Sequence, residues 1–290
     1  MKWVKWKDHY GVRAMGKNRY NPPEPWGPWT KILGVVARCE GKHDTVVSYD
    51  GTGVTWGFMQ WTFTSGRLQR LLQFLKSIEV PGTNKSLFDK FFRLKGGKQV
   101  FKDFGFIIVN GNMVDVEKNK ILNPALDKQR IDDICMGRTK HASFEDQKKH
   151  AIDLARIFLN AGRDSEVAFA QIEFAKNEMK RALRVKRKAL EGIGTIADLL
   201  EDTWDTPLPA IFFNLWQNSP KYAYKLFVNS YNRTNHLGTI AYFDEVWGRL
   251  NRSKFGNWSY AKPNNKSPRI ERIRKAVFEF YKVELEVKRY

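Results

Sequence analysis

The chain has 290 residues, enough to bury a full hydrophobic core in one large domain or two small ones. Its hydrophobic content of 42% is too high for a disordered chain, and charged residues interrupt the apolar stretches too often for a membrane-spanning protein. Its 50 Lys and Arg residues outnumber 31 Asp and Glu residues, and the resulting net charge of +19 favours nucleic acid, anionic lipid or an acidic bacterial wall as partner.

Residues 1–28 are predicted to form an extended N-terminal arm in front of a domain that covers residues 29–290. The Pro-rich part of this arm, residues 21–28, excludes a regular helix. The first ten residues carry a charge every few positions and lack the continuous apolar core of a secretory signal. We therefore expect the protein to be made in a cytoplasm, with no export route of its own.

The first predicted helix runs from Lys31 to Arg38, because Thr30 can cap its start and Gly41 takes the position that commonly ends a helix. Glu40 then lies at the C-terminus of this helix. The negative end of the helix dipole disfavours an ionised carboxylate there, which suits a general acid. Cys39 falls on the buried side of the helix and is expected to pack in the core as a free thiol.

Residues 45–64 carry the strongest strand pattern and predict a small antiparallel sheet with a Gly-rich turn that begins at Asp50. Thr55 follows Asp50 closely enough for its hydroxyl to reach a water molecule that Asp50 would orient. Two carboxyl groups in different surroundings can divide the roles of acid and base, and Glu40 and Asp50 fit these roles in that order. The alternative is that Glu40 only ends a surface helix and Asp50 only makes a turn.

Four further side chains beside this turn are candidates to bind a sugar by hydrogen bonding or by ring stacking: Tyr49, Trp56, Gln60 and Trp61.

Helical periodicity dominates the rest of the chain, so the predicted fold class is mainly α with one small antiparallel sheet. An amphipathic helix is expected after Gly66 and before Pro81, and residues 101–123 are read as a second small hairpin or an inter-lobe loop. Further helices are predicted at residues 87–94, 144–160, 164–190, 195–203, 209–217, 220–230, 238–250 and 267–283.

Residues 40–61 resemble the active-site segment of the lysozyme superfamily, in which a catalytic Glu ends a core helix and a small sheet with a Gly-rich segment follows. The run Asp50-Gly-x-Gly-x-Thr55-x-Gly57 resembles the motif of the chitosanase branch, where the Asp acts as base and the Thr helps to place the water. The Gly57-x-x-Gln60 piece is similar to that of goose-type lysozymes and soluble lytic transglycosylases. The acid-to-base spacing is shorter here than in the chitosanase branch, so Asp44 is kept as a reserve base.

The resemblance implies a bilobed, α+β lysozyme-like fold with a helix-rich second lobe at residues 124–290. It implies an endolysin-type muramidase that hydrolyses the glycan strands of peptidoglycan, as in a phage lysin that is made in the host cytoplasm and acts on the wall after release. A predicted helix that ends in Gln217 and Asn218 is similar to a buried helix of bacterial and phage wall-degrading relatives, and Gln171 and Phe174 fit the same picture.

Charge favours peptidoglycan and its attached anionic wall polymers over chitosan, because chitosan is a polycation that a strongly basic protein repels. The alternatives are a lytic transglycosylase or chitosanase of the same superfamily, and a non-enzymatic protein that binds polyanions through the basic runs 180–188 and 269–275. Neither run carries a recognised nucleic-acid module, so no stable nucleic-acid partner is expected. The five histidines match no metal-site spacing, and we expect a monomer without metal or cofactor.

Overall fold

The structure is a computed structural model, and it describes residues 1–6, 9–19, 26–140, 143–185, 194–234, 238–252 and 268–285. The strands in these ranges are β1 Lys2–Trp6, β2 His9–Ala14, β3 Val46–Val47, β4 Thr55–Trp56, β5 Trp61–Thr62, β6 Phe106–Val109, β7 Asn112–Asp115 and β8 Lys120–Ile121. The helices are α1 Pro28–Glu40, α2 Arg67–Lys76, α3 Leu87–Phe92, α4 Lys128–Cys135, α5 Phe144–Ala161, α6 Ser165–Leu183, α7 Ile196–Leu199, α8 Leu208–Asn218, α9 Pro220–Thr234, α10 Thr239–Arg252 and α11 Pro268–Tyr281. Short 3-10 turns cover Val100–Phe104 and Glu201–Thr203.

The predicted mainly helical fold with small antiparallel sheets is confirmed, although the described residues form two sheets instead of one. The second sheet has the order β6-β7-β8, and it settles the alternatives for residues 101–123 in favour of strands. Helix α4 was not predicted, because it has only eight residues, half of them charged, and its apolar face is limited to Ile131, Ile134 and Cys135.

The chain divides into two compact units. The first unit consists of Met1–Tyr20 and Gly41–Phe174, and the second consists of Asn21–Glu40 and Ala175–Tyr290. The lobe boundary predicted near residue 124 falls inside the first unit, which corrects the expected extent of the second lobe. Each unit consists of two separate stretches of sequence. A single boundary position along the chain therefore cannot separate them.

The N-terminal residues form a hairpin of the first sheet, which corrects their assignment to an extended arm in front of the domain. Strands β1 and β2 pair with Trp3 opposite Val12, and β2 continues the sheet with Arg13 opposite Val47. The Ser48 backbone N–H donates to the Val12 carbonyl at 3.0 Å, which extends the pairing beyond the ladder. Val12 is fully buried, so its burial fixes this hairpin to the core. Residues 21–25, which make up most of the Pro-rich stretch, lie outside the described residues.

The first sheet has the order β1-β2-β3-β4-β5, and all its pairs are antiparallel. Val46 lies opposite Trp56, and Thr55 lies opposite Thr62. The small sheet predicted within residues 45–64 is thus confirmed, with strands of only two residues each. The residues between β3 and β4 form the turn that carries Asp50.

An aromatic cluster fills the core of the first unit. Phe101 stacks on Phe106 and on Phe158, with ring centroids 4.9 and 5.6 Å apart, and Trp56 packs on Phe158 at 5.3 Å. Such ring pairs contribute about 0.5–1.5 kcal/mol each beyond the area they bury. This cluster anchors β4 and with it one end of the turn that carries Asp50.

Helix α1 is the centre of the second unit, where it packs against α8 and α11. Its face of Ile32, Leu33, Val35 and Val36 is fully buried. Helix α8 in turn packs on α9, and α9 packs on α10. Within the described part of the chain, no helix combines the length and the apolar character needed to span a bilayer.

Gly34 lets α1 approach α11 closely, because a Cβ atom at this position would lie 2.4 Å from a ring carbon of Phe280. We expect Gly34→Ala to lower the free energy of unfolding by about 1–2 kcal/mol, whereas Gly to Ala in an open helix interior raises it by about 1 kcal/mol. Chemical denaturation checks the sign. Adding Phe280→Ala makes room for the methyl group, so the double variant should lose less stability than the two single changes together; simple additivity would contradict the contact.

Candidate active site

Glu40 is the last residue of α1, and it is half-buried. Its Oε1 atom accepts a hydrogen bond from Asn218 Nδ2 at 2.8 Å and another from Asn214 Nδ2 at 3.3 Å. Both asparagines belong to α8, four residues apart and therefore on the same face of that helix. Two donors that meet on one oxygen fix the orientation of the carboxyl group.

Asn214 is fully buried, and Asn218 is exposed and also donates to the Asn214 carbonyl at 3.3 Å. A buried amide of this kind is costly unless it is hydrogen-bonded, so its pairing with Glu40 accounts for an Asn in the core of α8. Asn218 was predicted through its place at the end of the helix, whereas Asn214 was not predicted. The spacing of the two asparagines was the available signal.

A hydrogen bond from a residue of α11 stabilises the C-terminal end of α1. Arg272 Nη1 donates to the Cys39 carbonyl at 2.9 Å, which satisfies one of the carbonyls that a helix leaves unpaired at its C-terminus. A cation there is also favourable to the helix dipole. Cys39 itself is 4% exposed, so its predicted place in the core is confirmed.

Asp50, Thr52 and Thr55 form a hydrogen-bonded chain in the first unit. Thr52 Oγ1 lies 2.5 Å from Asp50 Oδ1 and 2.9 Å from Thr55 Oγ1. An ionised carboxylate can only accept, so the Thr52 hydroxyl donates to Asp50 and accepts from Thr55. Thr55 is only 3% exposed and thus reaches Asp50 through Thr52. This corrects the expectation of a direct role for Thr55 and identifies Thr52, which the sequence analysis missed.

Helix α4 supports the turn that carries Asp50. The Gly53 backbone N–H donates to Asp132 Oδ1 at 3.1 Å, and Arg138 Nη1 pairs with Asp132 Oδ2 at 2.7 Å. Asp132 is 3% exposed, and a buried carboxylate needs such partners to be tolerated. Gly53 has a φ of +75°, and a Cβ there would lie 3.2 Å from Cys135 Sγ, so the turn rests directly on α4.

Gln60 adopts the left-handed backbone conformation, with a φ of +52°, which is uncommon for a residue other than Gly. Its side chain donates from Nε2 to the Gly57 carbonyl at 3.0 Å. A Cβ added at Gly41 would lie 2.9 Å from Gln60 Nε2, so this amide lies against the residue that follows Glu40 in the chain. An unusual backbone conformation of this kind is a recognised feature of binding sites, and the predicted role of Gln60 stays a prediction.

Trp56 and Trp61 are fully buried, which corrects the prediction that either ring stacks on a sugar. Trp61 packs against Phe58 at 5.4 Å and against Phe174 at 5.7 Å, inside the first unit. A ring that stacks on a ligand needs an accessible face, and neither indole offers one. Tyr49, by contrast, is half-buried, and its predicted role in substrate binding stays a prediction.

Asp44, the reserve base, has a structural role that corrects its assignment. It is fully buried and accepts hydrogen bonds from the backbone N–H groups of Lys17 at 3.0 Å and Asn18 at 2.8 Å. Arg163 Nε lies 3.5 Å from its Oδ2 atom. These contacts tie the segment after β2 to the sheet, and they leave Asp44 without access to a water molecule in solvent.

His43 and Gln171 form a buried pair beside Asp44. Gln171 Nε2 donates to the His43 carbonyl at 3.0 Å, so its Oε1 faces His43 Nδ1 at 3.3 Å and accepts from it. Burial lowers the pKa of His43 to about 4, and the Gln171 bond and the charge of Asp44 oppose this shift. His43 is therefore neutral near pH 7 and serves the structure. Gln171, expected from the resemblance, has the same structural role.

The predicted site residues thus form two groups. Glu40 lies with Asn214 and Asn218 in the second unit, whereas Asp50 lies with Thr55 in the first. In the described parts of the chain, no group of three or more His, Cys, Asp or Glu side chains is arranged to hold a metal ion.

The basic runs have ordinary surroundings where the structure describes them. Lys180, Arg181 and Arg184 are exposed, and residues 186–188 lie outside the described residues. In the second run, Arg274 pairs with Glu271 at 2.8 Å. Exposed side chains and a pair within one helix are typical of a solvated helix face.

Comparison with known proteins gives no relative for the chain. No family model matches it, and neither the curated proteins nor the solved structures contain a match.

Proposed function

We propose that the chain is a glycoside hydrolase that cleaves the glycan strands of peptidoglycan, with Glu40 as general acid and Asp50 as general base. The observation that carries the proposal is Glu40, a half-buried residue at the end of a core helix whose carboxyl group is oriented by two amide donors on one oxygen. The proposed setting is that of a phage lysin, made in the host cytoplasm and acting on the wall after release.

The hydrogen-bond pattern indicates which oxygen of Glu40 would carry the proton in the proposed acid role. Because Oε1 accepts both amide hydrogens, a protonated Glu40 carries its proton on Oε2. In the proposed reaction this proton passes to the glycosidic oxygen as the bond between that oxygen and the anomeric carbon breaks.

The base role of Asp50 is supported by its exposure and by its contacts. Its Oδ1 atom accepts from the Thr52 hydroxyl and backbone N–H, which leaves Oδ2 to take a proton from water. The oxygen of that water forms the new bond to the anomeric carbon. Thr55 donates to the Thr52 hydroxyl and so holds it in place against Asp50.

The net charge of +19 supports peptidoglycan over chitosan as substrate. The direct test incubates the purified chain with outer-membrane-free peptidoglycan and, in parallel, with chitosan. We expect soluble glycan fragments from peptidoglycan alone. Fragments from chitosan alone would favour the chitosanase alternative, and no fragments from either, with tight polyanion binding, would favour the non-enzymatic alternative.

Thr52 offers a test of the hydroxyl chain. We expect Thr52→Val to lower the cleavage rate about tenfold, because it removes one charge-assisted hydrogen bond of about 1.5–3 kcal/mol from the proposed base. Thr52→Ser keeps the hydroxyl and should keep most of the rate. Initial rates at saturating peptidoglycan measure the effect. A Val variant as fast as the wild type, or a Ser variant as slow as Val, would remove Thr52 from the proposal.

A further inference from the structure

Two tight turns flank α3 on the surface of the first unit, and a basin of about 660 Å³ lies between them. The first turn is closed by the Val80 N–H, which donates to the Lys85 carbonyl at 2.8 Å. The second is closed by the Leu94 N–H, which donates to the Lys98 carbonyl at 2.8 Å. These bonds fix the backbone on both sides of the basin.

Four cations and one carboxylate line the basin: Lys85, Asp89, Lys90, Arg93 and Lys95. Each acidic group at this surface has a cation beside it, and Asp164 and Glu166 share one, Lys90. Arg93 Nε lies 2.6 Å from Asp89 Oδ1, and Lys90 Nζ lies 3.0 Å from Asp164 and 2.8 Å from Glu166.

The other two cations of the basin are Lys85 and Lys95. Both are exposed, and neither forms an ion pair within the described residues. One lies on each turn, so the basin presents a positive charge on either side. A ligand with negative charges spaced along a chain fits this arrangement.

The remaining lining residues indicate the kind of chain. None of them is aromatic, so nucleic-acid bases would find no ring on which to stack. Val80 and Leu94 provide small apolar surfaces, and Leu94 is 44% exposed. Gly96 and Gly97, with φ of +91° and +80°, leave the second turn without side-chain bulk, so a polymer backbone can approach it closely.

We propose that this basin binds a phosphodiester polymer without bases, an alditol phosphate polymer of the bacterial wall, whose phosphates pair with Lys85 and Lys95. The basin is much larger than one phosphate group and holds a stretch of such a chain. The choice of a wall polymer rests on the proposed function, whereas the binding itself requires no cleavage. The basin would hold the protein on the wall.

The test is calorimetric titration of the full-length protein with purified alditol phosphate polymer at low salt. We expect the double variant Lys85→Glu, Lys95→Glu to bind about fivefold more weakly than the control, since two exposed ion pairs contribute about 1 kcal/mol together. The control is Lys128→Glu, Lys149→Glu, which changes two exposed lysines of the same unit by the same charge. Should the Glu variants fail to fold, the same two pairs changed to Gln replace them.

If both double variants bound the polymer equally weakly, the proposed role of the basin would be wrong, because net charge alone would then explain the binding. Unchanged affinity in the Lys85, Lys95 variant would overturn it as well. A second titration uses a single-stranded oligonucleotide of matched charge. If the Lys85, Lys95 variant lost more affinity for the oligonucleotide than for the wall polymer, the basin would be assigned to nucleic acid. Peptidoglycan cleavage is measured separately, so a failure of the proposed function and a failure of the basin are distinguishable.

Discussion

Replacing Glu40 with Gln should lower the rate of peptidoglycan cleavage by about 10²–10⁴-fold, the usual contribution of a positioned general acid. The change removes the only proton that the side chain can give to the leaving oxygen. It preserves the shape, because the carbonyl oxygen of Gln can accept from Asn214 and Asn218 as Oε1 does now. The loss should therefore fall on the rate and leave stability nearly unchanged. Turbidity clearing of purified peptidoglycan gives the rate, and thermal unfolding gives the stability.

Glu201→Gln is the matched control, since Glu201 is an exposed glutamate of the same unit. It should cleave at the wild-type rate. Equal rates for the wild type and Glu40→Gln would contradict the acid role of Glu40. Binding to polyanions should be the same in all three proteins, because one exposed or half-buried carboxyl among 81 charged side chains changes the overall field little.

His43 should make the protein less stable in mild acid, by about 3 kcal/mol between pH 7 and pH 4. Burial lowers its pKa to about 4 in the folded state, whereas an exposed histidine in the unfolded chain titrates near 6.5. The unfolded state therefore binds more protons within this window, and the stability falls as the pH falls. Denaturant unfolding at a series of pH values measures the slope.

The variant His43→Asn separates this effect from that of the carboxylates that titrate in the same range. Its amide nitrogen replaces Nδ1 as a donor to Gln171 and does not titrate. Although the lost ring contact with Phe58 lowers its stability overall, its curve should be flatter than that of the wild type. His9→Asn, which changes a partly exposed histidine of β2, should keep the steep wild-type slope. Parallel curves for His43→Asn and the wild type would contradict the prediction.

Local signals in the sequence predicted most helices well. Helix α5 was expected at residues 144–160 and spans Phe144–Ala161, and α8 was expected at 209–217 and spans Leu208–Asn218. Helix α5 has an apolar face that includes Leu154 and Phe158, and α8 is apolar along most of its length. The N-terminal hairpin was missed because its stability comes from pairing with β3, more than thirty residues away, as the contact of Val12 with Ser48 illustrates.

The residues of the candidate site likewise differ in how far local sequence could predict them. Glu40 and the Asp50 turn could be found from helix-ending and turn residues that are close in sequence. The Asn214 partner could not, because it is 174 residues from Glu40 and is brought there only by the packing of α1 on α8. The prediction for Trp56 and Trp61 was wrong because a ring beside a turn can face either solvent or core. In the structure both rings face the core and pack in the aromatic cluster of the first unit.

The most direct test of the central claim is mass spectrometry of the fragments that the wild type and Glu40→Gln release from purified peptidoglycan, before and after borohydride reduction. The proposal predicts new reducing sugar ends from the wild type and almost none from Glu40→Gln. Anhydro-sugar ends would instead assign the chain to the lytic transglycosylases. No new glycan ends from a folded wild-type protein would contradict the proposed function.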